Sequence, residues 1–125
     1  QHFRVEPDWT ISCGRDGMRK ILADPNRPTA ITCTNDYLAS GAVIEARAQG
    51  LVVPDDISVT GFDDIELARH VEPPLTTIHV PAEEMGRRIA SYVIKALDSG
   101  DRELPPPVES DLVIRQSTAP PRKAG

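Results

Sequence analysis

Aromatic side chains are scarce in this chain, which has one tryptophan, two tyrosines and two phenylalanines. A core built on interleaved rings is thereby excluded, and aliphatic and alanine side chains must do the packing. Cysteine is equally sparse. Cys13 and Cys33 stand far apart with no CxxC spacing, which excludes a disulfide framework and a cysteine zinc site. Each reads as a small buried strand residue in a reducing cytoplasm. No apolar run approaches bilayer-spanning length and no signal peptide is recognisable, so no membrane partner is expected. Basic charge is lacking too. The formal net charge is −5 and the arginines, from Arg4 to Arg122, form no stripe. Phosphate binding needs a concentrated basic face, so this stretch is not expected to hold nucleic acid by itself. Catalytic signatures are also missing. There is no GxSxG, HExxH or GxxxxGK[ST], and His2, His70 and His79 lack a second ligand at metal spacing. No enzymatic activity, metal or cofactor is expected.

What is present centres on Ile57-Ser58-Val59-Thr60-Gly61-Phe62-Asp63-Asp64. The β-branched alternation suits a strand, and Gly61 lets the chain bend where two carboxylates follow. In an open parallel α/β sheet, ligands sit beyond the carboxyl ends of strands. Asp63 and Asp64 hold that position, either for a hydroxyl-bearing ligand or as caps of the next helix.

Upstream, Trp9 to Cys13 alternates at period two and predicts an edge strand ended by Gly14, with Trp9 in the core in preference to the alternative of a ligand-stacking platform. Asp16 is the expected N-cap of a helix reaching about Ala23, with Met18, Ile21 and Leu22 as its apolar face. A turn is expected at Glu6-Pro7-Asp8. A strand is predicted over 29–34, followed by Asn35-Asp36 and a helix over 37–49, with Gly50 as its C′ residue and Leu51 folding back. Short connections between alternating helices and strands imply right-handed crossovers and a parallel sheet. Neighbouring parallel strands at 29–34 and 57–62 would place Asn35 and Asp63 on one rim. A carboxylate there accepts from two hydroxyls, while an amide both donates and accepts. Asn35 also suits a helix cap. Farther on come a helical turn at 66–70, a strand at 75–80, and a long helix over 81–98 opened by Pro81. Its apolar side is Met85, Ile89, Tyr92, Val93, Ala96 and Leu97. A final strand at 108–117 precedes a frayed tail from 119 onward. The first residue is Gln1, with no initiator methionine, so the chain reads as a piece of something longer.

Several stretches together carry a resemblance. They are 28–36 (Pro28 through Asn35-Asp36), 53–64 (Val53-Pro54-Asp55-Asp56 through Gly61-Phe62-Asp63-Asp64), Pro73-Pro74-Leu75-Thr76-Thr77-Ile78 with Met85-Gly86-Arg87-Arg88, and the closing Leu112-Val113-Ile114-Arg115. In that order and spacing the chain resembles the LacI/GalR family of bacterial transcription regulators over roughly residues 16–121. The resemblance implies an α/β, parallel-sheet three-layer sandwich, the C-terminal lobe of a type I periplasmic-binding-protein-like fold. Residues 1–125 would be the C-terminal part of the effector-binding domain, with helix 81–98 belonging to the other lobe. The DNA-binding head and most of lobe one would be absent. By position, Asn35 and Asp63 match residues that bind sugar or nucleoside hydroxyls in the family. Asp36, Asp64 and His79 are further ligand candidates, while Val80 is apolar where some members are polar. The helix at 38–49 matches a dimer surface, with Leu38, Ala39, Ala42, Val43 and Ala46 as its packing face. The resemblance thus implies a cytoplasmic, homodimeric sensor of a sugar-like effector that meets DNA only through its absent head. A transporter's periplasmic sugar-binding protein is the alternative, and a flavodoxin-like or hydrolase-like enzyme domain a more remote one.

Overall fold

The computed structural model describes residues 8–122. The turn expected at Glu6-Pro7, the histidine His2 and the last three residues of the tail lie outside them. Helices and strands alternate as α1 (Ile11–Leu22), β1 (Ala30–Thr32), α2 (Asp36–Ala48), β2 (Ser58–Thr60), α3 (Glu66–His70), β3 (Thr77–His79), α4 (Ala82–Ser99) and β4 (Asp111–Val113). Two units result: Gln1–His79 with Leu112–Gly125, and Val80–Asp111.

In the first unit β1 and β2 pair in parallel with Ala30 opposite Ser58 and Thr32 opposite Thr60. Parallel bridges from Thr60 to Thr76 and from Asp63 to His79 carry the pairing on toward β3, which pairs in turn with β4. The buried core is aliphatic, as the shortage of rings requires: Met18, Val43, Ile57, Val59 and Leu75, with Ala39, Ala42, Ala46 and Ala68 filling the close approaches.

The N-terminal expectation needs correcting. Trp9 to Cys13 is not a strand. Thr10 caps α1, its hydroxyl accepting from the Cys13 backbone N–H at 3.3 Å, and Asp16 lies inside the helix, paired with Arg19. Gly14, Gly17 and Met18 recur at helical spacing and are buried, so a helical face against α2 outweighs a short alternation. Cys13 is accordingly a half-buried helix residue, and Trp9 is 62% exposed rather than in the core.

Glycine sets how closely α1 and α2 approach. A Cβ on Gly14 would collide with the Leu38 carbonyl, and one on Gly41 with the Ile11 carbonyl. Beside this contact lies Glu45, whose side chain is 6% exposed. It accepts from Arg15 Nε at 2.9 Å, Arg19 Nε at 2.8 Å and Gln49 Nε2 at 3.1 Å. The Gln49 amide, followed by the two guanidinium groups, outweighs desolvation and pulls the Glu45 pKa down to about 2. The small residues of α2 therefore serve packing within the chain. Ala39, Ala42, Val43 and Ala46 are at most 2% exposed. Leu38 is half-buried with its carbonyl against Gly14. Of the residues expected at a dimer interface, Ala39, Ala42, Val43 and Ala46 are therefore core residues instead, and only Leu38 keeps partial exposure.

The helix end is as expected. Gly50 has φ 83°, Leu51 N–H donates to Ala46 O at 3.0 Å and Gly50 N–H to Arg47 O at 2.9 Å, closing a Schellman motif. Both later strands are shorter than the sequence pattern suggests. Only Asp111–Val113 of 108–117 pairs as strand, and Ser117 instead buries its hydroxyl, which donates to Val59 O at 2.6 Å.

In the second unit α4 runs to Gly100, whose φ of 70° ends it, with Pro81 as its N-cap rather than its first residue. None of its residues is buried. Met85, Ile89, Val93 and Leu97, on the expected apolar side, are all exposed. Arg87 and Arg88 pair with Glu83 and Glu84 along the helix.

Three outcomes follow for stability. Gly41→Ala should cost about 3 kcal/mol or more in urea denaturation, because backbone rather than a flexible side chain meets the new methyl. Gly86→Ala, with open space around it, should instead raise helicity, by about 1 kcal/mol of propensity. Glu45 contributes stability above its ordinary range, and this is lost as pH falls toward about 2. Glu45→Gln should flatten that part of the stability-against-pH curve.

Candidate functional site

Adjacent parallel strands lie about 4.8 Å apart, so residues equally far past a registered pair leave the sheet side by side. Thr32 and Thr60 are such a pair. Asn35 and Asp63 each follow by three residues, and both emerge at the carboxyl rim. The condition set from the sequence, parallel neighbours at 29–34 and 57–62, is met by β1 and β2.

Asn35 caps α2. Its Oδ1 accepts from Leu38 N–H at 2.8 Å, and its Nδ2 donates to the Trp9 carbonyl at 3.5 Å. At 5% exposure, it keeps one amide hydrogen beyond these bonds. The Trp9 backbone carbonyl is thus tied to Asn35, while its indole, which sequence reading had assigned to the core, is exposed. The overlooked signal is Thr10-Ile11-Ser12-Cys13: a threonine ahead of a helical stripe places the preceding ring outside the helix.

Asp63 is exposed, and its carboxylate makes no hydrogen bond among the described residues. Its backbone is held: N–H donates to Ile78 O at 3.0 Å, and φ is 105°. Partial desolvation, followed by the negative charge of Asp36, raises its pKa above the ordinary aspartate value. Beside it Phe62 is 41% exposed.

The remaining candidates have other work. Asp36 is fully buried. It accepts from Thr77 Oγ1 at 2.6 Å and Ile65 N–H at 3.0 Å, and Gly61 sits so close that a Cβ there would strike its carboxylate. It cannot reach a ligand. Asp64 is likewise turned inward, with a side chain only 4% exposed and paired with Arg115, with Arg69 at 3.1 Å and with His79 Nδ1 at 3.2 Å. Burial alone would raise its pKa, but Arg115 and Arg69 together hold it below the usual value. His79 is half-exposed, its Nδ1 on Asp64 and its Nε2 without a partner among the described residues. Cys33, near the base of the rim, is no nucleophile: burial, then the Asp36 charge, pushes its thiol up to about 12.

The two neighbouring aspartates should therefore titrate apart. Carboxyl carbon shifts followed by NMR should show Asp64 losing its proton below the ordinary aspartate range and Asp63 above it. A common midpoint for both would contradict this geometry.

Comparison with known proteins agrees with the fold. The model of the periplasmic binding protein-like domain matches residues 3–118. The HTH-type transcriptional repressor CytR of Escherichia coli K12 is 39% identical over 116 residues, covering 89% of this chain and 33% of that protein. The crystal structure of a LacI family transcriptional regulator from Bifidobacterium animalis superposes with TM-score 0.86 at 32% identity, over 91% of this chain and 42% of that one. The transcriptional regulator CelR, solved with cellobiose, superposes with TM-score 0.78 at 33% identity, over 88% of this chain and 34% of that one. The chain thus spans about a third of the length of the curated relative. Its parallel α/β fold, the domain match and these relatives place it together: the chain belongs to the periplasmic binding protein-like family, as a segment of the effector-binding core of LacI/GalR regulators.

Proposed function

We propose that this chain is the ligand-sensing segment of a LacI/GalR-type transcriptional regulator that takes a small sugar-like effector in a cleft between two lobes. The observation that carries this reading is the exposed Asp63 carboxylate, without a partner among the described residues, on the same sheet rim as Asn35, whose amide holds the carbonyl of the exposed Trp9. A sugar ring presents hydroxyls around its edge and C–H groups on its faces. Asp63 accepts from two hydroxyls, the free Asn35 amide hydrogen donates to a third oxygen, and the indole covers an apolar face. The cellobiose held by CelR fits this chemistry.

Ligand contacts from this rim and from a second lobe favour one lobe arrangement, and a homodimer transmits it to DNA-binding heads that this chain does not contain. The dimer uses a surface other than the buried face of α2. Such a regulator works in the cytoplasm. A transporter's sugar-binding protein shares the fold, but the repressor relative CytR favours the regulator. Among the described residues no helix is long and apolar enough to cross a membrane.

Titration of the chain with cellobiose, D-ribose and uridine, followed by amide and indole NMR shifts, tests the reading. One of the three should shift the Trp9 indole, the Asn35 side-chain amide and the Asp63 backbone together. Affinity should be on the order of millimolar, because only one side of the cleft is present. Asp63→Asn should weaken it about tenfold or more, the loss of a charge-assisted bond. No response from any of the three, or responses confined to the cavity of about 520 Å3 beside Arg87, Tyr92 and Pro105, would overturn it.

A further inference from the structure

We propose that Asp64 is the positioning residue of the rim: its buried carboxylate holds Asp63 toward the ligand and ties that loop to both points where the chain leaves and re-enters the first unit. The inference rests on Asp63 being the effector's acceptor, and it assigns a neighbour to keep it there.

Asp63 and Asp64 have φ of 105° and 55°. Two consecutive non-glycine residues in this region are strained and persist only where the surroundings over-determine them. Among the described residues, Asp63 has no side-chain bond to do so. Asp64 has three partners, from three separate stretches of the chain. Arg69 Nη2, from α3, donates to Oδ2 at 3.1 Å. His79 Nδ1, from the end of β3, meets the same oxygen at 3.2 Å. Arg115, beyond β4, donates to Oδ1.

The Arg115 contact is itself braced, since Nη1 donates to Leu75 O at 2.8 Å and its backbone N–H to Thr76 Oγ1 at 3.0 Å. Its side chain is 16% exposed, against 58% for Arg69. Arg115 is therefore the partner least diluted by water, and Arg69 the most. The placement of His79 and Arg115 in the chain gives the cluster its second role. His79 is the last residue before the unit Val80–Asp111, and Arg115 lies just past Leu112, where the chain returns. One carboxylate thus grips the exit, the re-entry and the ligand loop. A shift of Asp63 onto a ligand is felt at both passages through a single side chain.

Asp64→Asn tests this without changing shape. Asparagine accepts left-handed backbone at least as readily as aspartate, so the substitution removes charge and not conformational tolerance. In the full chain, NMR couplings and Cα shifts should lose the positive-φ signature at Asp63. The amides of Val80 and Leu112 should shift, while those of Ser58 to Thr60 stay in place. Arg115→Lys should keep part of the signature, Arg115→Gln should lose it, and Arg69→Ala should leave it unchanged. A role confined to stability would lower the denaturation midpoint yet keep the Asp63 signature in the folded protein, and that result would overturn the proposal. The backbone readout needs no ligand. Absence of sugar binding in the wild type would therefore count against the proposed function alone. Where a sugar does bind, Asp64→Asn should weaken it at least tenfold with the Trp9 response retained, and an unchanged affinity would count against the positioning role.

Discussion

A buried carboxylate underlies the architecture of this rim. Asp36 opens α2, is fully shielded from water, and receives the Thr77 hydroxyl and the Ile65 N–H. Taking a carboxylate from water costs several kcal/mol. Two charge-assisted hydrogen bonds return about 1.5–3 kcal/mol each. The helix N-terminus adds up to about 2. The sum is close to balance, so the gain lies in specificity more than in stability. Any arrangement that moves β3 or the loop after β2 leaves this charge unpaired. Gly61 belongs to the same device, because only a residue without Cβ lets the chain pass over the carboxylate.

The same constraint separates the roles of four similar residues. Asp36 lies inside and holds the Ile65 N–H, Asp64 lies inside and is satisfied by Arg115, Arg69 and His79, Asn35 caps a helix while facing the rim, and Asp63 alone of the four keeps a carboxylate without a partner among the described residues. Their environments push the two neighbouring aspartates in opposite directions. A protein that reads a hydroxyl-rich ligand needs such a division. The contact residue must be free to accept, and the residues behind it must already be satisfied.

Much of the framework was legible because it rests on local chemistry. The β-branched run ending at Gly61 and the Schellman sequence at Gly50 each carry their own physical reason. The region around Trp9 was not, since five alternating residues cannot be told from a capped helix start without the glycine-lined contact with α2. That contact also explains why Ala39, Ala42, Val43 and Ala46 are core and not interface. The inward turn of Asp64 was beyond reach as well: its main partner, Arg115, lies 51 residues away. Long-range pairing of charges leaves no periodic trace in a sequence, whereas caps and turns do.

Native-state hydrogen exchange at the Ile65 amide addresses the Asp36 clamp most directly. Ile65 follows the loop that carries Asp63, and its N–H has the Asp36 carboxylate as partner. The account predicts protection comparable to that of the β2 amides, Ser58 and Val59, because opening Ile65 requires unpairing a buried charge. Exchange at the rate of a free surface loop, with Ser58 and Val59 still protected, would contradict it.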